Sequence, residues 1–138
     1  MSNEVQYEWR GSFSNRKVNE LHAEAFDTRV FDESEWNWEE LVATHSLGWV
    51  LARRGEDLIG FANVLSDGFV HAWIQDVMVA RNARHEGVGV CLIEAARNGA
   101  QRAGCEWLHV DFDNDLEPFY FDACGFTPTN AGLIDLTD

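Results

Sequence analysis

The feature that most constrains this chain is a turn with two glycines between a strand-like segment and a helical one. The strand-like segment ends at Val77-Met78-Val79, and residues 90–103 are alanine-rich with helical periodicity. Between them lies Arg84-His85-Glu86-Gly87-Val88-Gly89, with R-x-x-G-x-G spacing. Glycines let the backbone turn tightly so that its N–H groups converge, and the following helix adds unpaired amides and its dipole. The turn is therefore predicted to bind an anion such as a phosphate group.

Other phosphate-binding loops do not fit this turn. The sequence does not read G-x-G-x-x-G, as a dinucleotide fingerprint would, and no G-K-[ST] follows, as in a nucleoside triphosphate loop. Two glycines before a helix also occur in plain strand-to-helix turns, so the spacing alone leaves that alternative open.

The residues around the turn resemble the GNAT superfamily of N-acetyltransferases. That family's signature, [QR]-x-x-G-x-[GA], opens a helix after a strand that ends aliphatic-x-Val, as Val77-Met78-Val79 does here. A second match lies downstream, where Asn114, Gly125 and Phe126 fall at the family's spacing. The motifs cover residues 48–136, and the first third of the chain resembles the family only by pattern. The resemblance implies an α/β (α+β) fold with a mixed, mostly antiparallel sheet, splayed parallel central strands and the order β-α-α-β-β-β-α-β-α-β(β).

Apolar periodicity predicts the same order of elements. Strands are expected over 5–10, 48–54, 58–65, 69–79, 107–112 and, as a terminal strand or hairpin, 126–136. Helices are expected from Asn15 as a cap, from Ser34, over 87–103 and over 115–124. Because a helix separates the strand ending at Val79 from the one starting near Trp107, these two strands should be parallel. Residues 1–138 are expected to form one domain, since no linker or repeat divides them.

The resemblance implies that acetyl-CoA is the acyl donor. Its pyrophosphate would lie on the amides of residues 85–90, and its pantetheine would pair with the backbone of Val77 and Val79 as an added strand does. The same peptide groups would supply an N–H near the thioester oxygen. Asn114 would steady the start of the next helix beside the coenzyme. The predicted coenzyme-binding residues are Val77, Met78, Val79, Arg84, His85, Glu86, Gly87, Val88, Gly89, Val90, Asn114 and Phe121.

The chain departs from the family at the residue that protonates the departing thiolate. Many members carry a Tyr seven residues after the position of Asn114, where this chain has Phe121. Tyr120 is adjacent and is the candidate acid, although a shift of one residue turns a side chain by about 100° around a helix. Phe121 also motivates an alternative, a noncatalytic acyl-CoA-binding sensor or regulatory module. Loss of the acid need not abolish catalysis, because a CoA thiolate is a fair leaving group near neutral pH.

The general base is equally open in the sequence. The histone-acetyltransferase branch has a Glu where this chain has Trp73. His71 and Gln75 share the strand face of Trp73 by alternation and are candidate catalytic residues, whereas Asp76 is predicted to lie on the opposite face. A lone strand histidine is also commonly a packed, hydrogen-bonded residue.

The acceptor is expected to meet residues 26–38, because in the family the first two helices and their connection cover the reactive end of the coenzyme. Phe31, Glu33 and Trp36, with Trp73 on the sheet, are candidate substrate-binding residues that would suit an organic cation. Ordinary packing of this connection on the sheet is the alternative. The sequence does not choose between a small-molecule amine and a protein amine.

The formal net charge of −14 excludes nucleic acid as a partner, since neutralising phosphates needs a basic surface. The acidity fits either a solvated surface or an acidic vestibule that concentrates a cationic amine. No apolar stretch is long enough to span a bilayer, so no membrane partner is expected and a cytoplasmic location is predicted. A homodimer is expected to cover the sheet edge left after Phe126.

No metal is expected. Cys91, Cys105 and Cys124 form no C-x-x-C pair, so they predict reduced thiols, with a cysteine acyl carrier as a minor alternative. The carboxylates of residues 111–122 have the spacing of a calcium loop, but Leu116 replaces its glycine and Pro118 falls inside it. A calcium-binding domain is therefore a remote alternative.

Overall fold

The computed structural model describes residues 4–137, which form a five-stranded sheet with helices on both faces. The strands are Val5–Trp9 (β1), Ser46–Arg54 (β2), Asp57–Ser66 (β3), His71–Val79 (β4) and Trp107–His109 (β5), and the helices are Asn15–Phe26 (α1), Trp38–His45 (α2) and Val88–Arg102 (α3). The sheet order is β1-β2-β3-β4-β5, antiparallel except for the parallel pair β4 and β5. The predicted fold class and the parallel pair are confirmed.

The start of α1 is set by Ser14 rather than by Asn15. Ser14 has extended φ and ψ, and its Oγ accepts a hydrogen bond from the Lys17 amide at 3.4 Å, as N-cap residues do. Asn15 is instead the first helical residue and is buried against the start of α2. The prediction that Asn15 caps the helix was therefore wrong by one residue.

The second helix starts later than predicted. Ser34 lies in a turn in which the Asp32 carboxylate accepts from the Ser34 amide at 3.1 Å, so this segment is held outside the helix. Asn37 caps α2, because its Oδ1 accepts from the Glu40 amide at 3.0 Å. The connection between α1 and α2 is therefore longer than the sequence pattern indicated.

The sheet is covered on opposite faces by different helices. On one face Trp38 of α2 packs edge-on against Phe61 of β3, with ring centroids 5.7 Å apart. On the other face Val88 and Leu92 of α3 lie against Gly60. All these side chains are buried, together with Val50, Leu51 and Val64 of β2 and β3. We refer below to the α1/α2 face and the α3 face of the sheet.

Helix α3 approaches the sheet closely because of a small residue. A Cβ at Gly99 would lie 2.5 Å from the Trp9 ring, and a Cβ at Gly48 on the sheet would lie 2.2 Å from the same ring. The Trp9 indole thus sits between two glycines, which leaves no room for a side chain at either position. The helix ends as predicted before Gly104, whose φ is 100°.

The strands β4 and β5 separate soon after they meet. Their parallel pairing covers three residue pairs and ends at Trp73 with His109, so β5 is shorter than the predicted strand over 107–112. The helix predicted over 115–124 is a 3₁₀ turn, Asn114–Leu116, followed by a π-helix, Pro118–Ala123. Residues 126–137 form no helix or strand, so the predicted terminal strand or hairpin is absent from this segment. Within residues 4–137 no helix has the length and apolar content needed to cross a bilayer.

Candidate functional site

A β-bulge interrupts β4 just before the predicted coenzyme-binding residues. Between two cross-strand pairs, Asn63 with Gln75 and Phe61 with Met78, β4 has two residues where β3 has one. Asp76 lies in this interval and has a left-handed φ of 56°. An extra residue of this kind bends the strand and re-aims its side chains.

The bulge places Asp76 on the α1/α2 face. Asn63 Nδ2 donates to Asp76 Oδ2 at 3.2 Å, and Asn63 shares a face with its cross-strand partner Gln75. The prediction that Asp76 lies on the opposite face from Gln75 was therefore wrong. Strict alternation holds only along a regular strand, and the inserted residue shifts its phase.

The Asp76 carboxylate ends a short buried chain of polar groups. Ser46 Oγ donates to Asn63 Oδ1 at 2.5 Å, and Asn63 is 1% exposed. Burial raises the pKa of Asp76, while the Asn63 hydrogen bond and the charge of His22 act in the opposite direction. A carboxylate with a raised pKa takes up a proton more readily than an ordinary aspartate.

His22 on α1 carries an imidazole whose charge acts to lower the pKa of Asp76. Burial lowers the pKa of His22, and the Asp76 charge opposes that shift. Its Nδ1 is buried and has no hydrogen-bond partner within residues 4–137. An unpaired buried nitrogen of this kind is uncommon in folded proteins.

The predicted anion-binding turn leads into α3 without a side-chain cap. Gly87, with φ 82°, is the N-cap residue, and no side chain accepts a hydrogen bond from the first turn of the helix. The amides at the start of α3 therefore remain available to an anion, which also meets the positive end of the helix dipole. Only glycine adopts this backbone conformation without strain.

The carboxylate within the turn, that of Glu86, is paired with an arginine, which reduces its repulsion of a bound anion. Arg54 Nη2 lies 2.7 Å from Glu86 Oε1, which compensates the negative charge of Glu86. Arg84 is exposed and donates to the Ala25 carbonyl at 3.4 Å. Arg84 is therefore the cation that an anion on this turn would meet.

Gly89 is needed for packing between α3 and the π-helix. A Cβ at Gly89 would lie 3.0 Å from the Phe119 ring and 3.9 Å from Val79 Cγ2. A substitution there moves Phe119 as well as approaching a ligand, so it does not test anion binding cleanly.

The edge of β4 that faces β5 is open beyond Trp73, because the parallel pairing ends there. Main-chain groups on such an edge pair with an extended ligand as they would with another strand. The Met78 side chain is buried in the core, whereas Val77 and Val79 are half-buried beside the open edge. The open edge runs from the bulge towards the turn at Gly87.

An imidazole pair lies where the two strands part. His71 Nδ1 and His109 Nε2 are 2.8 Å apart, so one nitrogen donates a hydrogen bond to the other. The Trp73 ring stacks on His109 with centroids 4.8 Å apart and an interplanar angle of 17°. Gln75, two residues further along β4, is exposed. The structure thus brings His71 and Trp73 together and adds His109, which had no assigned role.

The connection between α1 and α2 carries the other predicted acceptor residues. The rings of Phe31 and Trp36 stack with centroids 6.3 Å apart. The guanidinium of Arg29 lies 4.7 Å from the Phe31 centroid and pairs with Glu35 at 2.6 Å, while Glu33 is exposed. This combination of an aromatic face and a carboxylate already holds one organic cation, Arg29 itself.

Tyr120 and Phe121 both pack against the ring of Phe112, but in different orientations. Tyr120 is buried and stacks on Phe112 at 4.5 Å, and Phe121 meets the same ring edge-on at 5.1 Å. Burial raises the pKa of Tyr120 to about 12. Asn114 is exposed in the 3₁₀ turn that precedes them. A role for Tyr120 as acid stays a prediction, and its burial makes it a weak proton donor.

Neither minor alternative from the sequence gains support. Within residues 4–137 no group of three or more His, Cys, Asp or Glu side chains is gathered in reach of one metal ion. Burial raises the pKa of the Cys124 thiol to about 11, which disfavours the thiolate that an acyl carrier needs.

Comparison with known proteins supports the interpretation of this geometry. The profile of the acetyltransferase (GNAT) family matches residues 15–126, which include the bulge, the turn and the π-helix. The chain belongs to the GNAT acetyltransferase family. Membership places it in the acyltransferase class, and its similarity to the family extends into the first two helices.

Solved structures share the fold of this GNAT protein over nearly its whole length. A Trypanosoma brucei acetyltransferase has a TM-score of 0.77 and 19% identity, covering 96% of this chain and 100% of its own. The aminoglycoside N-acetyltransferase AAC(6')-Iy in complex with CoA has a TM-score of 0.78 and 17% identity, covering 99% and 97%. Glucosamine-6-phosphate N-acetyltransferase from Arabidopsis thaliana has a TM-score of 0.74 and 16% identity, covering 96% and 99%. No protein with a curated description matches this sequence significantly.

Sequence reasoning did not identify the placement of four polar residues that the structure brings close to the predicted site residues. Asp76 was assigned to the wrong face because a bulge does not change the apolar pattern of the sequence. Asn63 had no assigned role, and the structure identifies it as the hydrogen-bond partner of Asp76. His22 follows Val18 by four residues, which places both on one side of a helix, and this spacing was a usable signal. His109 received no role from the sequence, and its contacts with His71 and Trp73 are visible only in the structure.

Proposed function

We propose that this enzyme transfers an acetyl group from acetyl-CoA to a primary amine by direct attack within a ternary complex. The observation that carries the proposal is the open edge of β4, which runs from the bulge at Asp76 to the uncapped start of α3 at Gly87. We propose further that residues 1–138 form one acyltransferase domain.

The coenzyme assignment follows from the order of groups along this edge. The amides at the start of α3, with Arg84, would hold the pyrophosphate, and the main chain of Val77 and Val79 would pair with the pantetheine. When bound, acetyl-CoA supplies a thioester whose carbonyl carbon accepts the amine. A fixed main-chain N–H beside that carbonyl would stabilise the oxyanion, a contribution of about 3 kcal/mol in other enzymes.

The acceptor is proposed to be a small cationic amine that enters from the α1/α2 face. Phe31, Glu33 and Trp36 lie on the connection between α1 and α2. The Arg29 guanidinium, which lies over the Phe31 ring and pairs with Glu35, supports the proposal that this connection can bind a cation. The net charge of −14 favours the approach of a cation over long distances. Proteins of similar fold act on aminoglycosides and on glucosamine-6-phosphate, which are small-molecule amines.

A noncatalytic acyl-CoA-binding module remains the second candidate. It rests on Phe121 at the position of the usual acid and on the burial of Tyr120, which leave the π-helix without an accessible hydroxyl at these positions. Such a module would bind the coenzyme through the same edge and turn without amine-dependent turnover.

Calorimetric titration with acetyl-CoA, followed by a free-thiol assay with a panel of amines, separates these candidates. Binding with amine-dependent thiol release would support the transferase, and binding without release would favour the module. Arg84→Glu should weaken acetyl-CoA binding by at least about tenfold, because a charge at the phosphate site is reversed. Arg97→Glu, the same change at an exposed position in the middle of α3, is the matched control. Equal affinities of the two variants would refute the assignment of the turn.

A further inference from the structure

We propose that Asp76 is the catalytic base, which takes a proton from the acceptor amine. This inference rests on the proposed acetyltransferase function and names a residue that the family motifs did not. It is argued from the bulge, from the polar chain that holds the carboxylate and from the position of Asp76 beside the open strand edge.

The bulge turns Asp76 towards the acceptor side of the sheet. In a regular strand the residue after Gln75 would face α3, but the left-handed Asp76 hydrogen-bonds to Asn63 on the α1/α2 face. A non-glycine residue with φ of 56° is strained, and such strain persists where the surrounding structure enforces it. Aspartate and asparagine tolerate this conformation better than other side chains, since they can hydrogen-bond locally.

One carboxylate oxygen is held and the other is free of donors. Asp76 Oδ2 accepts from Asn63, whose own amide oxygen accepts from Ser46 Oγ. Asp76 Oδ1 receives no hydrogen bond from residues 4–137, which leaves it for a donor such as an ammonium group. A base that is positioned through one oxygen and open at the other has the geometry that proton transfer needs.

Asp76 also directly adjoins the segment of β4 that is proposed to hold the thioester end of acetyl-CoA. Asp76 directly precedes Val77, and neighbouring Cα atoms are about 3.8 Å apart. If the thioester end of acetyl-CoA lies on the main chain at Val77, an amine that reaches the carbonyl carbon from the α1/α2 face passes the Asp76 side chain. The general base then contacts the nitrogen that attacks.

The step balances in protons and electrons without a further reactant. The Asp76 carboxylate takes one proton from the ammonium, and the freed nitrogen lone pair forms a C–N bond with the acetyl carbon. The C–S bond breaks, and its electron pair goes to sulfur. The second proton on nitrogen passes through solvent to the thiolate, and Asp76 returns its proton to water. The products are the acetamide, CoA thiol and one released proton.

The groups that face Asp76 are compatible with a carboxylate that gains and loses a proton in every turnover. Burial raises its pKa, which makes the carboxylate a better proton acceptor than one in water. The ionisable neighbour is His22 from α1, whose own pKa is lowered by burial, while β2 and β3 contribute the neutral Ser46 and Asn63. A largely neutral His22 leaves the proton affinity of Asp76 intact near neutral pH.

The test is Asp76→Asn, which keeps the size and tolerates the left-handed conformation. Amine acetylation should fall by about 10²-fold or more in kcat/KM, the usual effect of losing a general base. The acidic limb of the pH profile should disappear, while calorimetric affinity for acetyl-CoA stays within about twofold of wild type. Asp57→Asn, an exposed change at the start of β3, is the matched control and should leave all three measurements unchanged.

Stability separates a catalytic role from a structural one. Because the pKa of Asp76 is raised in the folded state, its ionisation opposes folding: the associated stability is present below the ordinary aspartate pKa and is lost as pH rises through the raised value. Asp76→Asn should therefore unfold at higher urea concentration than wild type near neutral pH, with no difference in strong acid. A structural residue would instead lose stability together with activity.

The outcomes of the activity test are distinct. Unchanged activity of Asp76→Asn, or a loss that follows reduced coenzyme affinity or stability, would overturn the role of Asp76 and leave the transferase intact. A wild-type protein that transfers to no amine in the panel would overturn the proposed function and the base with it. Asp76→Gly, which removes the carboxylate where φ favours glycine, should reproduce the kinetic loss and guards against an effect peculiar to the amide.

Discussion

The position of the α1–α2 connection depends on one buried amide, Asn19, and its removal provides a quantitative test. Asn19 is 1% exposed, its Oδ1 accepts from Trp38 Nε1 at 2.8 Å, and its Nδ2 donates to the Trp36 carbonyl at 3.1 Å. In Asn19→Ala the Trp36 carbonyl keeps a second donor, Asn15 Nδ2 at 3.2 Å. The buried indole N–H keeps none, and an unpaired buried donor costs about 1 to 3 kcal/mol. We therefore expect Asn19→Ala to lose about 2 kcal/mol of unfolding free energy.

Urea denaturation measures this loss, and a double-mutant cycle with Trp38→Phe assigns it. Phenylalanine has no N–H to satisfy, so Asn19→Ala should cost at least about 1 kcal/mol less in the Trp38→Phe background. Asn82→Ala, at an exposed position, is the control for replacing an asparagine. A loss below about 0.5 kcal/mol, or the same loss in both backgrounds, would refute the assignment of the indole bond. In assays of the folded variant, the amine KM should rise while acetyl-CoA affinity holds, because only the acceptor side is loosened.

Two further predictions concern backbone strain and thiol reactivity. Gly87→Ala should lower the free energy of unfolding by about 1 kcal/mol and weaken acetyl-CoA binding, because the φ of 82° at this position is unfavourable for any residue with a Cβ, although the space around it is open. Urea titration and calorimetry measure the two effects. Gly132→Ala, at a glycine without positive φ, is the control. Alkylation of Cys124 by a maleimide, followed by mass spectrometry of its peptide, should stay slow near neutral pH and accelerate towards its pKa of about 11, so rapid modification at neutral pH would contradict its burial.

The parts of this protein that the sequence predicted are those encoded by local pattern. The turn at Gly87 follows from glycine spacing, and the end of α3 follows from Gly104, because each glycine adopts a conformation that other residues avoid. The parallel arrangement of β4 and β5 followed from the helix between them. Each of these inferences needs only residues that are neighbours in the chain.

The parts that the sequence did not predict depend on contacts between distant residues. The bulge at Asp76 is stabilised by Asn63, thirteen residues away, and changes which face a side chain occupies without altering the apolar pattern. The start of α2 was misplaced because Ser34 and Asn37 are equally good N-cap residues by type. The hydrogen bond from the Ser34 amide to the Asp32 carboxylate keeps Ser34 in a turn, so the helix starts after Asn37. Residues 126–137 were predicted to form a terminal strand or hairpin, but a strand forms only where a partner edge pairs with it.

The bulge links the two halves of the proposed site, because one backbone distortion has two consequences. It bends β4 shortly after the pairing with β5 has ended at Trp73, beside the open edge at Val77 that is proposed to receive the coenzyme. It also turns Asp76 from the α3 face, where a carboxylate would be buried among apolar side chains, to the α1/α2 face beside Asn63. A regular strand would give neither the bend at this edge nor a base on the acceptor side. Aspartate at this position is therefore explained by two requirements together, tolerance of a left-handed backbone and the ability to take a proton.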